Sequence, residues 1–147
     1  MINYKSWLID DLRALDRLRF SIGEMETELQ TLEAEYAAIQ ATDFDKIPGG
    51  NGENTQEDRL LTAIARRDAL EANLKATRLR VADLDRLLAA LPDDERRTLE
   101  LMFITREKYA AGRLCEELAL EMASVYRLKD RALRHMAQLR HGAGVQP

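Results

Sequence analysis

The sequence predicts an all-α protein, in which a long antiparallel helical hairpin (a coiled coil) precedes a C-terminal helix-turn-helix unit. Of the 147 residues, 33% are charged, 46% are hydrophobic and only 5% are aromatic, a composition that suits long helices better than sheet. Apolar residues recur at heptad spacing in the first part of the chain, and short amphipathic helix patterns follow near its end. Most of the seven glycines and three prolines mark boundaries between these segments.

The first long helix is predicted from a strict heptad seam. Its apolar positions alternate between steps of three and four residues: Leu15, Leu18, Ile22, Met25, Leu29, Leu32, Tyr36 and Ile39. Trp7, Leu8 and Leu12 extend the seam backward less regularly. A single helix cannot bury such a stripe by itself, so the pattern requires a partner helix.

The partner helix is expected in the same chain. The segment from Asp43 to Glu53 contains Pro48 and three glycines, so no helix should cross it. A second helix is predicted to begin near Thr55, which resembles a cap in front of an acidic first turn. Its seam consists of Leu60, Ile64, Leu70, Leu74, Thr77, Val81, Leu84, Leu88 and Leu91. Arg67 interrupts this seam, where it either sets the register or extends its charge to solvent.

Residues 1–91 are therefore predicted to form an antiparallel hairpin of two helices, each about 36 residues or roughly 55 Å long. Phe20, Leu61 and Leu87 lie off the main seams. A homodimer that packs two hairpins together would bury these side chains. We therefore expect a homodimer that forms through the hairpin.

Residues 92–140 are predicted to form a separate unit of short helices. Pro92 and the acids after it favour a helix start. This helix has an apolar face of Leu99, Met102 and Phe103, flanked by Leu101 and Ile104. A connector from Thr105 to Gly112 leads to a short helix, on which Leu114, Cys115 and Leu118 face inward. Residues 141–147 are expected to be a flexible tail.

The last helix, from about Ala123 to Leu139, is expected to bury one stripe and to expose basic side chains. The stripe consists of Val125, Leu128, Ala132 and Met136. The other faces carry Arg127, Lys129, Arg131 and Arg134. Two short helices joined tightly, the second of them basic, are typical of a DNA-binding helix-turn-helix.

The charge distribution agrees with a small DNA-contacting surface. The net charge of the chain is −4. Residues 1–91 contain 12 basic and 17 acidic side chains, whereas residues 92–147 contain 10 and 9. From Ser124 onward there are five basic residues and one acid, Asp130. The positive potential is therefore local, as a single recognition helix requires.

Three sequence segments carry a resemblance to a known family. The runs LPDDERRTLELMF, LCEEL and VYRLKDRALRHM resemble region four of sigma factors, the domain that binds the upstream promoter element. Together with the heptad helices and the PGGNG loop between them, they resemble RinA/ArpU-like phage regulators of late-gene transcription. The chain departs from this pattern at Ala119, where the family has glycine, and near Glu121, where it has a serine cap. Ser124 is the alternative cap, which would start the last helix later.

The resemblance implies which residues contact DNA: Ala123, Ser124, Tyr126, Arg127, Asp130, Arg131 and Arg134. Arg127 is suited to a guanine edge, whereas Arg131 and Arg134 are better placed for phosphates. Tyr126 would contact either a thymine methyl group or a phosphate. Asp130 would either accept from a cytosine amine or orient Arg127 or Arg134.

The sequence carries no motif that supports catalysis, so we expect a protein that is not an enzyme and has no cofactor and no metal. Two histidines and one cysteine cannot form a familiar four-ligand zinc site. Cys115 is expected to be a small buried residue. The glycine-rich loop follows no strand and lacks the lysine of a phosphate-binding loop. With no signal peptide and no apolar run of membrane-spanning length, the expected location is the cytoplasm of a bacterial host cell.

The sequence therefore predicts a sequence-specific transcription regulator that binds double-stranded DNA. The resemblance implies a phage or prophage late-gene activator, with host RNA polymerase as an expected partner. Two alternatives remain open at this point. One is a phage small terminase subunit that recognises packaging DNA, and the other is a coiled-coil adaptor whose C-terminal unit binds protein.

Overall fold

The computed structural model describes residues 2–41 and 55–145, and within these ranges the chain is almost entirely helical and has no strand. This confirms the predicted all-α fold class. The described residues form five α-helices: α1 (Tyr4–Ala41), α2 (Gln56–Ala89), α3 (Asp93–Leu99), α4 (Ala110–Leu118) and α5 (Met122–His141). A π-helical segment, Glu100–Ile104, continues α3, and a short 3-10 helix, Gly142–Gly144, follows α5.

The chain divides into two compact units. One unit is made of Met1–Arg19 and Arg80–Pro147, and the other is Phe20–Leu79. The first unit therefore contains the beginning of α1, the end of α2 and all the later helices. The predicted boundary at Pro92 coincides with the start of α3, but the compact units separate within the two long helices.

In the unit Phe20–Leu79, α1 and α2 run antiparallel, as predicted. Arg78 forms an ion pair with Glu26 at 2.5 Å, whereas Gln56 Nε2 donates a hydrogen bond of 2.6 Å to the carbonyl of Ile39. Positions later in α1 thus meet positions earlier in α2. The predicted loop from Asp43 to Glu53 lies outside the described residues.

The predicted seams are confirmed from Leu8 onward, because their residues are buried or half-buried on both helices. Trp7, which was expected to extend the first seam, is 53% exposed. The start of α2 is also as predicted, because the Asp58 amide donates to Thr55 Oγ1 at 3.2 Å. Arg67 occupies its seam position half-buried, with its guanidinium 5.8 Å from the centre of the Tyr36 ring. A cation over an aromatic face offsets part of the cost of placing this charge in the seam.

Two of the three off-seam residues are exposed. Phe20 and Leu61 face solvent, whereas Leu87 is buried, so the expectation for Leu87 is wrong. The reason is that this end of α2 belongs to the same unit as the later helices. The α5 residue Arg140 donates to Asp83, one turn before Leu87, at 2.9 Å.

The end of α5 is fixed to both long helices within this unit. Arg140 also donates to Asp11 of α1 at 2.6 Å. The rings of Tyr4 and His141 are stacked with their centres 4.3 Å apart. After the 3-10 helix, Val145 is buried. Residues 141–147 were predicted as a tail. Among the described residues of this segment, His141 is the last residue of α5 and Val145 packs against the protein.

The π-helical segment changes which side chains of the third helix are buried. Leu101, Phe103 and Ile104 are buried, and Met102 is only half-buried. Leu99 and Phe103 are buried as expected, and Met102 packs half-buried against Leu101, Leu114 and Val125. The expectation that Leu101 and Ile104 only flank the face is wrong. It assumed the α-helical period, and a π turn contains more residues and so rotates the following side chains.

Candidate nucleic-acid interface

Helices α4 and α5 form the predicted helix-turn-helix. The turn between them is Ala119–Glu121, three residues long. A core cluster of Leu101, Leu114 and Val125 joins the π-helical segment to both helices. Leu118 and Cys115 pack against this cluster and are partly buried. The cluster fixes the angle at which α5 leaves the turn.

The turn depends on a residue in the left-handed conformation. Ala119 has φ 53° and ψ 45°, a region that costs a residue with a Cβ about 1–2 kcal/mol. Its amide and that of Leu120 both bond the carbonyl of Cys115, an arrangement that commonly ends a helix with glycine in this position. The departure from glycine noted in the sequence thus falls on the strained residue of the turn.

Helix α5 begins at Met122, so the alternative of a later start at Ser124 is wrong. Glu121 occupies the N-cap position with extended backbone angles and makes no side-chain cap bond. The Val125 amide already bonds the Glu121 carbonyl at 3.0 Å, which closes the first turn ahead of Ser124. The Ser124 hydroxyl instead accepts a hydrogen bond of 3.0 Å from Arg127.

The predicted buried stripe of α5 is confirmed. Its four members are all buried: Val125, Leu128, Ala132 and Met136. Leu133 and Ala137 are buried as well, so the second half of the helix is covered over a wider arc than expected.

The predicted contact residues lie on the uncovered side of α5. Ala123, Tyr126, Arg127, Asp130 and Arg131 are exposed, and Ser124 and Arg134 are half-buried. Helical spacing places four of them, Ala123, Arg127, Asp130 and Arg134, in one row along the helix. We call this the central row. Tyr126 flanks it on one side, and Ser124 and Arg131 flank it on the other.

The cations of this surface differ in their intramolecular partners. Arg127 bonds only the neutral Ser124 hydroxyl, and among the described residues Arg134 has no hydrogen bond or ion pair. Arg131 Nε donates to Glu95 at 3.1 Å. Asp130 pairs with Lys129 at 3.6 Å, not with Arg127 or Arg134, so the structure does not support its role in orienting either arginine. Within the described ranges, neither guanidinium group of the central row is therefore paired with an acid.

A buried acid of α3, which the sequence analysis missed, holds α5 in place. Glu95 is 1% exposed, and its carboxylate lies 2.8 Å from Nδ1 of His135 in addition to bonding Arg131. Asp94 lies 3.8 Å from Arg131 as well. One sequence feature could have indicated this contact: Arg131 and His135 are four residues apart and therefore share a helix face, to which one acid can bind.

A second ion-pair group joins α3 to α4. Arg97 donates two hydrogen bonds of 3.0 Å to the carboxylate of Glu117, and Arg113 adds a third at 3.0 Å. The hydrogen bonds from Arg97 and then Arg113 lower the pKa of Glu117 from 4.5 to about 2. The hydrogen bonds to Glu117 also raise the pKa of Arg97, whereas the pKa of Arg113 is raised first by its hydrogen bond to Glu107 and then by the one to Glu117. All three side chains therefore stay charged near neutral pH.

No protein-family model, no curated protein and no solved structure matches this chain. In the described ranges, 2–41 and 55–145, no group of three or more His, Cys, Asp and Glu side chains is arranged to hold a metal ion. None of the helices in these ranges has the length and apolar character needed to cross a membrane. The resemblance to phage late-gene regulators stays a prediction, and the surface of α5 is the basis for proposing a function.

Proposed function

We propose that this protein is a sequence-specific transcription regulator that binds double-stranded DNA with α5. The observation that carries the proposal is the central row, where Arg127 and Arg134 lack acidic partners on an exposed helix that follows a tight turn. The family resemblance extends the proposal to activation of phage late genes in the cytoplasm of a bacterial host cell.

The geometry of α4 and α5 suits the major groove. The groove admits one α-helix, and in this motif the second helix enters it while the first crosses the backbone. The buried stripe holds α5 against the protein, so the central row faces outward. Ser124 restrains the Arg127 side chain, which lowers the entropy lost when its two donors bind a guanine edge.

Which arginine can bind a phosphate depends on whether it already has an acidic partner. Arg134 lies two turns beyond Arg127 and has no acidic partner, so it is placed to bind a phosphate. Arg131 shares its charge with Glu95 and Asp94, which weakens its contribution to a phosphate contact. Asp130 is suited to accept from a cytosine amine.

One such helix offers few contacts, so we also propose that the protein binds as a homodimer formed through the hairpin. The exposed side chains of Phe20 and Leu61 support this, because a second hairpin would cover them. A dimer would place two recognition helices on DNA and would add their binding free energies. Contact with host RNA polymerase is proposed from the resemblance alone.

The test is binding of the full chain to DNA from its own gene neighbourhood, titrated with salt. Arg127→Ala should weaken specific binding by about 1–3 kcal/mol, mainly through one base position. Arg59→Ala is the matched control, because Arg59 is an exposed arginine of α2. It should leave the affinity unchanged.

The other outcomes separate the alternatives. Binding of equal strength to every sequence, abolished by modest salt, would contradict the proposal and indicate charge alone. Specific binding by a ring of many copies, seen as mass in solution, would favour a small terminase subunit. No DNA binding at all would favour the protein adaptor.

A further inference from the structure

We propose that the apolar patch at the start of α5, defined as Met122, Ala123 and Tyr126, binds thymine methyl groups in the major groove. The proposed recognition element then contains thymine beside the guanine that Arg127 contacts. This inference rests on the proposed function and adds which base α5 recognises.

The patch is exposed although its members are apolar. Met122 is 49% exposed and Tyr126 is 48% exposed, and Ala123 is exposed as well. Met122 and Tyr126 are four residues apart and therefore neighbours on the helix surface. The core needs none of them, since the buried stripe that begins at Val125 lies on another side of α5.

Thymine is the base that an apolar patch fits best. The 5-methyl group of thymine is the apolar feature that distinguishes base pairs in the major groove, where the other groups are donors and acceptors. Phosphates instead require donors or cations, and the only side-chain donor in the patch is the Tyr126 hydroxyl. The nearby cation, Lys129, lies over the Tyr126 ring at 5.3 Å and pairs with Asp130.

Charge and spacing favour DNA over a protein as the occupant. The patch adjoins Arg127 and Arg134 of the central row, which have no acidic partner among the described residues, whereas Asp130, the acid of that row, pairs with Lys129. The two arginines therefore favour an anionic ligand beside the patch. Met122 and Tyr126 are four residues apart, about 6 Å along the helix axis, and base pairs are stacked about 3.4 Å apart. The patch therefore spans about two base pairs next to the base at Arg127.

The experiment begins by selecting duplexes from a random pool with the full-length protein. Each thymine of the selected duplex is then replaced by deoxyuridine, which removes only the methyl group. We expect about fourfold weaker binding at one or two thymines within two base pairs of the guanine that is sensitive to Arg127→Ala. Elsewhere the replacement should have no effect.

Variants assign the effect to the patch. In Tyr126→Ala, at least one of the sensitive thymines should lose its response to deoxyuridine. Tyr109→Ala is a close control, because Tyr109 is a 75% exposed tyrosine with Lys108 over its ring but lies outside α5. It should keep the full response.

Three results would overturn the inference. If specific binding is weakened by Arg127→Ala but unaffected by deoxyuridine at every position, the thymine inference is wrong while the proposed function stands. The inference is also wrong if the deoxyuridine effect persists unchanged in the double variant Met122→Ala, Tyr126→Ala. If no duplex binds specifically, the proposed function itself fails and the inference fails with it.

Discussion

Among the residues of α4, α5 and the turn between them, the same residue type has different properties in different surroundings. Arg127 and Arg131 are both exposed arginines of α5, yet Arg127 bonds a neutral hydroxyl and Arg131 bonds a buried carboxylate. The first keeps its charge available, whereas the charge of the second is partly neutralised. Ala119 shows the same dependence, because an ordinary helix former occupies a left-handed position in which its Cβ is unfavourable.

Ala119→Gly should stabilise the protein by about 1 kcal/mol, because glycine adopts a positive φ without the Cβ clash. The measurement is the free energy of unfolding in urea. The matched control is Ala82→Gly at an exposed interior position of α2, two turns before its end, which should destabilise by about 1 kcal/mol. Destabilisation by both substitutions would contradict the strain assigned to Ala119.

At the level of the helices, two acidic side chains join α3, α4 and α5 through ion pairs and hydrogen bonds. Glu95 of α3 holds α5 through Arg131 and His135. Glu117 of α4 is held by Arg97 of α3. The orientation of α5 therefore depends on polar contacts as well as on the core cluster.

Glu95→Gln should lower the free energy of unfolding by about 2 kcal/mol, because it replaces a buried charged acceptor whose partners remain. Asp93→Asn is the control, since the Asp93 side chain is 94% exposed although it pairs with Arg96. It should change stability by less than about 0.5 kcal/mol. Equal effects of the two variants in thermal or urea unfolding would show that Glu95 does not hold α5.

The lowered pKa of Glu117 predicts a pH dependence of stability. A carboxyl group that titrates near 2 when folded and near 4.5 when unfolded contributes stability that is complete above pH 4.5. That contribution is lost as the pH falls toward 2. Glu117→Gln should therefore be less stable than wild type at neutral pH, and its stability should decline less steeply below pH 4.5.

Urea unfolding as a function of pH measures this difference. Glu116→Gln is the control, because Glu116 is the exposed neighbour of Glu117 on α4. It should preserve the wild-type slope. A slope in Glu117→Gln that equals the wild-type slope would contradict the assignment.

At the scale of the whole molecule, the net charge of −4 limits how DNA can be bound. Each copy offers only two central-row cations without acidic partners, Arg127 and Arg134. Non-specific attraction by the rest of the chain is therefore weak, and affinity depends on directed contacts and on the number of copies. This makes the salt dependence of binding informative.

The logarithm of the DNA affinity should fall with the logarithm of salt concentration with a slope of about −1 per copy, hence about −2 for a dimer, because only Arg134 of the central row is assigned to a phosphate. Arg134→Ala should reduce the magnitude of this slope by about 1 per copy, and Arg59→Ala should leave the slope unchanged. Mass measurement of the complex gives the number of copies. A slope beyond about −4 per copy would mean that a larger basic surface exists than α5 provides.

The long helices and their buried stripes can be predicted from the sequence alone. The heptad seams and the stripe from Val125 to Met136 follow from local periodicity, and the cap at Thr55 follows from its residue type before an acidic turn; the structure confirms each of them. Periodicity is encoded in neighbouring residues, so it can be detected without knowing which helices pack together.

Which charged side chains pair between helices, and which helix faces are covered, depends on how the helices pack. The burial of Leu87, the π-helical rotation of Leu101 and Ile104, and the pairing of Glu95 with Arg131 and His135 all depend on contacts between distant segments. Sequence periodicity carries no information on such contacts. The sequence thus predicted which helix is exposed and basic, and the tertiary structure determined which of its arginines remain unpaired.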